Sequence, residues 1–493
     1  MNFKQTCFRS LAVLAILYTA PLSAQEKKLS ALTQEDLLTD FDLMSKILQH
    51  QHPNIYKFTD SVTFRHSIDS LRSNIIRHPT IYTFFTNLPS NLVRDAHLSL
   101  SPSNDYSKEL YSDMHFFPFP VIIERGRMFV DIKGEQIPFG TEILSINDVS
   151  VKDILQRLSR LSNSDGYTNN GIDRVNYDFQ FYYGITTPEA RSFKIVYKDP
   201  GSSKTSHITL PALAPAAAYH STNRRVLPVN TLQRAYNIYT DFLENEQTGV
   251  LTVNTFSLGE AEAYKEFSKF FKEVNKRKFK QVIIDIRSNY GGDPAISSLL
   301  YSFLSDKPFT NIYNYRTHTI DISYPEYVVD GSNRRVSEED IRNNKNFYYQ
   351  RFDRDSSGIY NGNARLKEGL LENYPPDKDA FHGRVFVLTG GGTISAATYF
   401  ATLVQKNKRG IITGKETGSG EASTTAAWFV QYLLPGTKSI LTVPRTEIYF
   451  FNATTDNGHG VIPDKEVPLP AFIQYLQAGK DPELSFVLDM KDK

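Results

Sequence analysis

The chain has 493 residues, 40% of them hydrophobic and 22% charged. A single core seldom grows past roughly 250 to 300 residues, so two or three domains are expected, and the balance excludes collagen, a coiled coil and wholesale disorder. A formal net charge of +1 gives no basic excess, so a nucleic-acid partner, which needs a clustered basic surface, is not expected.

Lys4 and Arg9 flank the start of an apolar run, Leu11 to Ala20, and Leu22-Ser23-Ala24 ends in a small residue. This pattern predicts a secretory leader, residues 1–24, cleaved near Ala24, and an exported mature chain, periplasmic or extracellular. The run is shorter than the roughly 20 residues that span a bilayer, and no later segment is longer and equally apolar, so the mature chain is expected to have no transmembrane segment. Gln25 stands where a lipoprotein would need cysteine. Cys7, the one cysteine, lies inside the leader, so no disulfide or cysteine-built metal site is expected afterwards. Removal of Lys4 and Arg9 takes the 55 basic residues to 53, against 54 acidic ones.

Residues 25–110 read as a helical N-terminal region, with Leu37, Phe41, Met44, Ile47 and Leu48 at helical spacing. It ends in Asp95-Ala96-His97-Leu98 before a short alternating stretch that predicts a strand or hairpin. In residues 111–215, a glycine turn feeds a strand, then an Asn147-Asp148 turn, then a helix reaching Leu161. This order is similar to part of a PDZ domain, a module that captures peptides by adding a strand to a sheet edge; an ordinary small β domain fits the pattern too. The stretch 162–191 is longer than a usual PDZ connection, so a groove there would be altered or covered.

From 216 to 493 strands and helices alternate. Val250–Phe256, Gln281–Ile286 and Val385–Leu388 read as strands, and Glu260–Val274 and Pro294–Leu304 as helices, which predicts a layered α/β core. The polar, Tyr- and Asn-rich section 311–379 reads as an insertion or a long lid-like loop.

Within that core a strand runs into Gly390-Gly-Gly-Thr-Ile-Ser395, and a helix opens at the serine. Such a turn places a hydroxyl among free backbone N–H groups at a helix N-terminus, where developing negative charge is favoured; a plain helix cap by Ser395 is the simpler alternative. A second turn, Asp285-Ile-Arg-Ser-Asn-Tyr-Gly-Gly292, ends another buried strand with two glycines that permit close backbone approach.

In these turns, and in Gly414-Lys-Glu-Thr-Gly418 and Gly460-Val-Ile-Pro-Asp464 after them, the chain resembles the tail-specific (carboxyl-terminal processing) and tricorn core protease family of serine peptidases. The resemblance covers most of the mature chain. It implies a Clp protease/crotonase-like layered α/β peptidase core, a peptide or protein substrate, and no cofactor or metal. Ser395 matches the nucleophile, and the N–H of Ala396 with one from Gly291 or Gly292 matches the oxyanion hole. The processing branch uses a lysine where this chain has Gly420, so no Ser-Lys dyad is expected there; Lys415 is taken as a surface residue. The tricorn-like branch uses an upstream histidine in a segment similar to Asp95-Ala96-His97-Leu98, which makes His97 the expected base. The third member, an orienting carboxylate, is assigned to Asp456.

His50-Gln-His52 is not expected to bind metal: two residues apart on a helix they point in different directions, and Pro53 ends the helix, which makes His52-Pro53 a helix-terminal packing element. No zinc helix motif, Gly-x-Ser-x-Gly elbow or phosphate-binding loop is present, and Ser419 reads as a loop hydroxyl. The expected function is an exported serine-type endopeptidase working through a Ser-His acyl-enzyme. The alternatives are a non-cleaving peptide- or ligand-binding protein on the same fold, and an esterase.

Overall fold

The computed structural model describes residues 29–87, 92–168, 171–198, 204–226, 236–311, 313–366, 372–450 and 456–490. The leader predicted over 1–24, and Cys7 with it, lies outside the described residues.

Five strands form the central sheet, in the order Ile411–Gly414, Arg384–Thr389, Gln281–Asp285, Thr248–Val253, Ile238–Leu243. The first four run parallel and the last pairs antiparallel. A parallel sheet is covered on both faces, which is why strands such as Gln281–Asp285 and Arg384–Thr389 carry unbroken apolar centres, Val282-Ile-Ile284 and Val385-Phe-Val-Leu388. Leu251, Val253, Val282, Ile284, Val385 and Val387 pack on one face with helices Glu260–Arg277, Pro294–Ser302 and Ala396–Lys406. Val250, Ile283, Phe386 and Leu388 pack on the other with Val487 of the C-terminal helix Pro482–Leu488. The layered α/β architecture expected from the alternation is present.

The N-terminal region is helical as its periodicity predicts. Helix Gln34–Gln51 opens on a capping box in which Thr33 and Asp36 satisfy each other's backbone N–H, and it buries Leu37, Phe41, Met44, Ile47 and Leu48. Ser61–Arg77 and Ile81–Thr86 follow. Just after His97, strand Ser99–Pro102 pairs antiparallel with Ser439–Val443, so the start of the chain is stitched to the far end of the core.

Residues 121–211 form an antiparallel sheet in the order Val121–Glu124, Arg127–Val130, Glu142–Ile146, Ser192–Lys198, Thr205–Pro211. Asn147 and Asp148 both adopt positive φ, 49° and 61°, as a tight hairpin turn requires. The long stretch after Leu161 folds into helices Gly171–Tyr177 and Phe179–Thr186. The first packs on Val121–Glu124, where Asn176 Oδ1 accepts the Ile123 N–H at 2.9 Å.

The expectation of a lid-like loop over 311–379 is corrected by the structure. Tyr313–Thr317, Phe352–Arg354 and Tyr360–Gly362 join Thr446–Phe450 and Ser423–Ala426 in one sheet, and Val328–Val329 joins Val430–Leu433 in another. Strands Phe309–Asn311 and Glu372–Tyr374 pair antiparallel near the two ends of the segment. Its polar residues line exposed strand faces and the helix Glu338–Arg351, whose one buried residue is Tyr348.

Candidate active site

Ser395 sits between strand Arg384–Thr389 and helix Ala396–Lys406 at φ 58°, ψ −125°. For a non-glycine residue this conformation costs of order 1 to 3 kcal/mol and persists only where surroundings over-determine it. They do here. Thr393 Oγ1 donates to Ile286 O at 2.9 Å and accepts the Gly390 N–H at 3.0 Å, the Ile394 N–H donates to Asn289 O at 3.1 Å, and Ser297 Oγ donates to Ala396 O at 2.7 Å. Although Ser395 occupies the N-cap position, its side chain makes no capping hydrogen bond, so the simpler cap reading is not what the structure shows.

Gly291, at φ +94°, lies directly against the serine, where a Cβ would fall 2.6 Å from Ser395 Cβ. Gly292, at φ +140°, is packed as closely on Phe256, whose carbonyl carbon would be 2.2 Å from a Cβ. The Gly291 N–H donates to Asn289 Oδ1 at 2.9 Å, which corrects its place among the expected oxyanion donors; the Gly292 N–H and the Ala396 N–H, the first of its helix and so without an intrahelical acceptor, are the two that remain.

His97 is 92% buried, being 8% exposed, and its Nε2 has no hydrogen-bond partner among the described residues. No hydrogen bond joins it to Ser395 there. The two are linked through the Gly418–Gly420 turn. Ser419 Oγ accepts the Ser395 N–H at 2.9 Å, Gly418 O accepts the Asp165 N–H at 3.1 Å, and the Gly420 N–H donates to Asp165 Oδ2 at 3.0 Å. Asp165 Oδ1 accepts the Ala96 N–H at 2.7 Å, and Thr424 Oγ1 stands between Asp165 Oδ2 at 2.7 Å and His97 Nδ1 at 3.3 Å. Burial holds the His97 imidazole below its ordinary range against the opposing pull of Asp165 and Asp95, and the charge of Arg174 depresses it further. Burial and the neighbouring charge of Asp95 push the Asp165 carboxyl up.

Asp95 fixes the backbone of the histidine, with Oδ1 accepting the His97 N–H at 2.6 Å and the Leu98 N–H at 3.2 Å. Its Oδ2 meets His52 Nε2 at 2.6 Å. Because His52 Nδ1 accepts the Asn54 N–H at 3.2 Å, Nε2 carries the proton and donates to Asp95. Burial alone would raise the Asp95 carboxyl, but the hydrogen bond from His52 leads the contacts that hold it below its ordinary value. The helix-terminal His52 thus supports the His97 segment as well as packing. Asp95, His97 and Asp165 can bring three ligand atoms within 4.8 Å of one another, yet every carboxylate oxygen of the group already accepts a proton from the protein.

Two expectations fail here. Asp456 does not face His97; its Oδ2 accepts from Lys57 Nζ at 2.6 Å and from Ser423 Oγ at 2.6 Å, and its Oδ1 from the Gly458 N–H at 2.8 Å. Lys57 in turn reaches Glu447 at 2.7 Å, and that cation takes up the carboxylate. Lys415 is no surface residue either. Its ammonium lies 2.8 Å from Glu124 Oε2 and 2.9 Å from Asp173 Oδ1, while Asp173 Oδ2 accepts the Gly391 N–H at 2.9 Å, so the pair braces the Gly390–Ser395 turn. At Gly420 a Cβ would lie 2.2 Å from the Ser423 carbonyl oxygen.

Sequence reasoning passed over Asp165 and Thr424, and read Ser419 as no more than a loop hydroxyl. Asp165-Gly166 and Gly418-Ser-Gly420 carry turn chemistry, but nothing local shows which turn they meet.

Compared with known proteins, residues 247–467 match the model of Peptidase family S41. That segment is similar to peptidase family S41. The match spans four of the five strands of the central sheet, both glycine turns, Ser395 and the Gly460–Asp464 element, so this core is similar to that of a serine peptidase family. Among solved structures, mature CPAF complexed with lactacystin is similar at 15% identity, covering 92% of this chain and 97% of that one with a TM-score of 0.62. Mature CPAF is similar at 14% identity, covering 92% and 96% with a TM-score of 0.60. The likeness extends the shared fold beyond the S41 core to the N-terminal regions. No curated protein matches the chain.

Proposed function

We propose that the chain is an exported serine endopeptidase of the lysine-lacking, tricorn-like type, in which Ser395 attacks the scissile carbonyl and His97 accepts its proton. An acyl-enzyme forms, and the proton passes from His97 to the leaving amine; water activated by the same imidazole then releases the acid. The Ala396 and Gly292 N–H groups receive the oxyanion, a pair of donors worth roughly 2.7 to 4 kcal/mol each in other serine proteases. The observation that carries this reading is the strained, uncapped Ser395 at a helix start in the same hydrogen-bonded assembly as a buried histidine with a bare Nε2. Catalytic hydrogen bonds are often long before substrate binds, so the absence of a direct Ser395–His97 bond is compatible with the pairing.

The antiparallel sheet over 121–211 would capture the substrate in a PDZ-like manner. Thr205–Pro211 is its outer strand, paired on one side with Ser192–Lys198, and strand addition there needs only backbone donors and acceptors. Export rests on the leader pattern of residues 1–24; no helix among the described residues is long and apolar enough to cross a membrane.

The test is fluorophosphonate labelling of mature protein, read by intact mass, for wild type, Ser395→Ala and His97→Ala. Adduct in the wild type and none in either variant is the expected result. Adduct retained in Ser395→Ala would remove Ser395 from the mechanism, and a wild type that binds peptide without any adduct would favour a non-cleaving binder. Relative turnover of matched ester and peptide substrates separates peptidase from esterase.

A further inference from the structure

We infer that Asp165, acting through the hydroxyl of Thr424, holds His97 in the tautomer that leaves Nε2 free to take a proton. The inference rests on the Ser-His reading above and assigns its missing orienting group to a residue on the loop before helix Gly171–Tyr177.

The argument is one of counting protons. A threonine hydroxyl has a single proton to give. Thr424 Oγ1 lies 2.7 Å from Asp165 Oδ2 and 3.3 Å from His97 Nδ1. Were the proton directed at Nδ1, an oxygen lone pair would face a carboxylate oxygen at 2.7 Å, a repulsive contact inside the protein. Directed at Asp165, it leaves a lone pair on Oγ1 for Nδ1, and Nδ1 must then carry hydrogen. Nε2 is left as the bare nitrogen, and it is the buried ring atom that has no partner among the described residues.

The same carboxylate is held in place from two other directions. The Ala96 N–H, one residue before the histidine, donates to Oδ1 at 2.7 Å, and the Gly420 N–H donates to Oδ2 at 3.0 Å. Each of these contacts presents a proton to Asp165 and so opposes the upward push of burial and Asp95 on its carboxyl. When His97 becomes an imidazolium during the reaction, Nδ1–H points along the relay toward that carboxyl. Asp165 and Thr424 act through His97 and are positioning residues. Gly420 takes part because its N–H reaches Asp165 from the place where the processing branch would carry its lysine.

The charged groups around His97 are Asp95 and Asp165, which favour the imidazolium, and Arg174, which disfavours it; His52 lies behind Asp95. The experiment is the rate of fluorophosphonate labelling of Ser395 against pH in wild type, Thr424→Val, Thr424→Ser and Asp165→Asn, with folding checked by circular dichroism. Thr424→Val is expected to label roughly 10- to 100-fold more slowly, the scale of a lost hydrogen bond to a charged group, and Thr424→Ser to recover most of the rate. Asp165→Asn is expected to be slower and to move the acid limb of the profile to lower pH, because a charge favouring the imidazolium is gone. A wild-type rate and profile in both Thr424→Val and Asp165→Asn overturns the relay alone. Thr424→Ser as slow as folded Thr424→Val also overturns it. No labelling of the wild type at any pH overturns the Ser-His reading, and the relay with it.

Discussion

Gly291 and Ser395 touch so closely that no side chain fits between them: a Cβ on the glycine would lie 2.6 Å from the serine Cβ and 2.8 Å from Ile394 O. Gly291→Ala must therefore push the nucleophile turn away, and the positive φ of 94° adds backbone strain. The variant is expected to fold with a stability loss of about 1 to 3 kcal/mol and to label at Ser395 about 100-fold more slowly, the scale of a misplacement near 1 Å. Thermal melting together with labelling rate checks both parts.

The acid limb of Ser395 reactivity is expected below the ordinary histidine value of 6.5, because burial depresses His97. The sign for stability follows from the same shift. Between the lowered folded pKa and 6.5 the unfolded chain binds a proton that the folded chain does not, so His97 lowers stability as pH falls through that window. His97→Gln should flatten the pH dependence of melting there while abolishing labelling. A labelling midpoint above 6.5 would contradict the burial argument.

Gly420→Lys, the substitution that would rebuild the processing branch's Ser-Lys dyad, is expected to give no lysine-dependent activity. Its Cβ would meet Ser423 O at 2.2 Å, and moving the turn breaks the Gly420 N–H bond to Asp165. Combining it with His97→Ala and assaying labelling at alkaline pH decides the matter, since a working dyad would restore reactivity there.

Lys415→Met should destabilise the fold by about 3 kcal/mol, because it leaves Glu124 and Asp173 as carboxylates without their shared cation. Denaturant unfolding measures this. The companion Lys415→Met, Glu124→Gln, Asp173→Asn triple variant should recover part of the loss.

The α/β core was legible because its strands are buried on both faces: Gln281–Asp285 has no exposed residue, and its central Val282-Ile-Ile284 run suits a strand covered on both sides. The helical start was legible from Leu37, Phe41 and Met44. Ser395 and the Gly291-Gly292 turn announced themselves through glycine patterns that only close approach requires. Asp165 did not, because a carboxylate in an irregular loop gains its role from Ala96, Gly420 and Thr424, all remote in sequence. Asp456 was assigned to His97 by its place in the chain, whereas Lys57, also remote, claims it in space. Lys415 was misread for a related reason: a charged residue in a glycine loop is usually solvated, and only the arrival of Glu124 and Asp173 from the preceding domain makes it internal.

The pairing of Ser99–Pro102 with Ser439–Val443 has a bearing on when the chain becomes active. The segment bearing His97 leaves the ribosome early, but the strand that seats it is made almost last. A partly synthesised chain therefore lacks the strand that seats the His97 segment, and the proposed Ser395–His97 pairing would be complete only after Ser439–Val443 has paired with Ser99–Pro102. If the proposed export and peptidase activity hold, this timing would shield the cell that makes the chain, without a separate inhibitor.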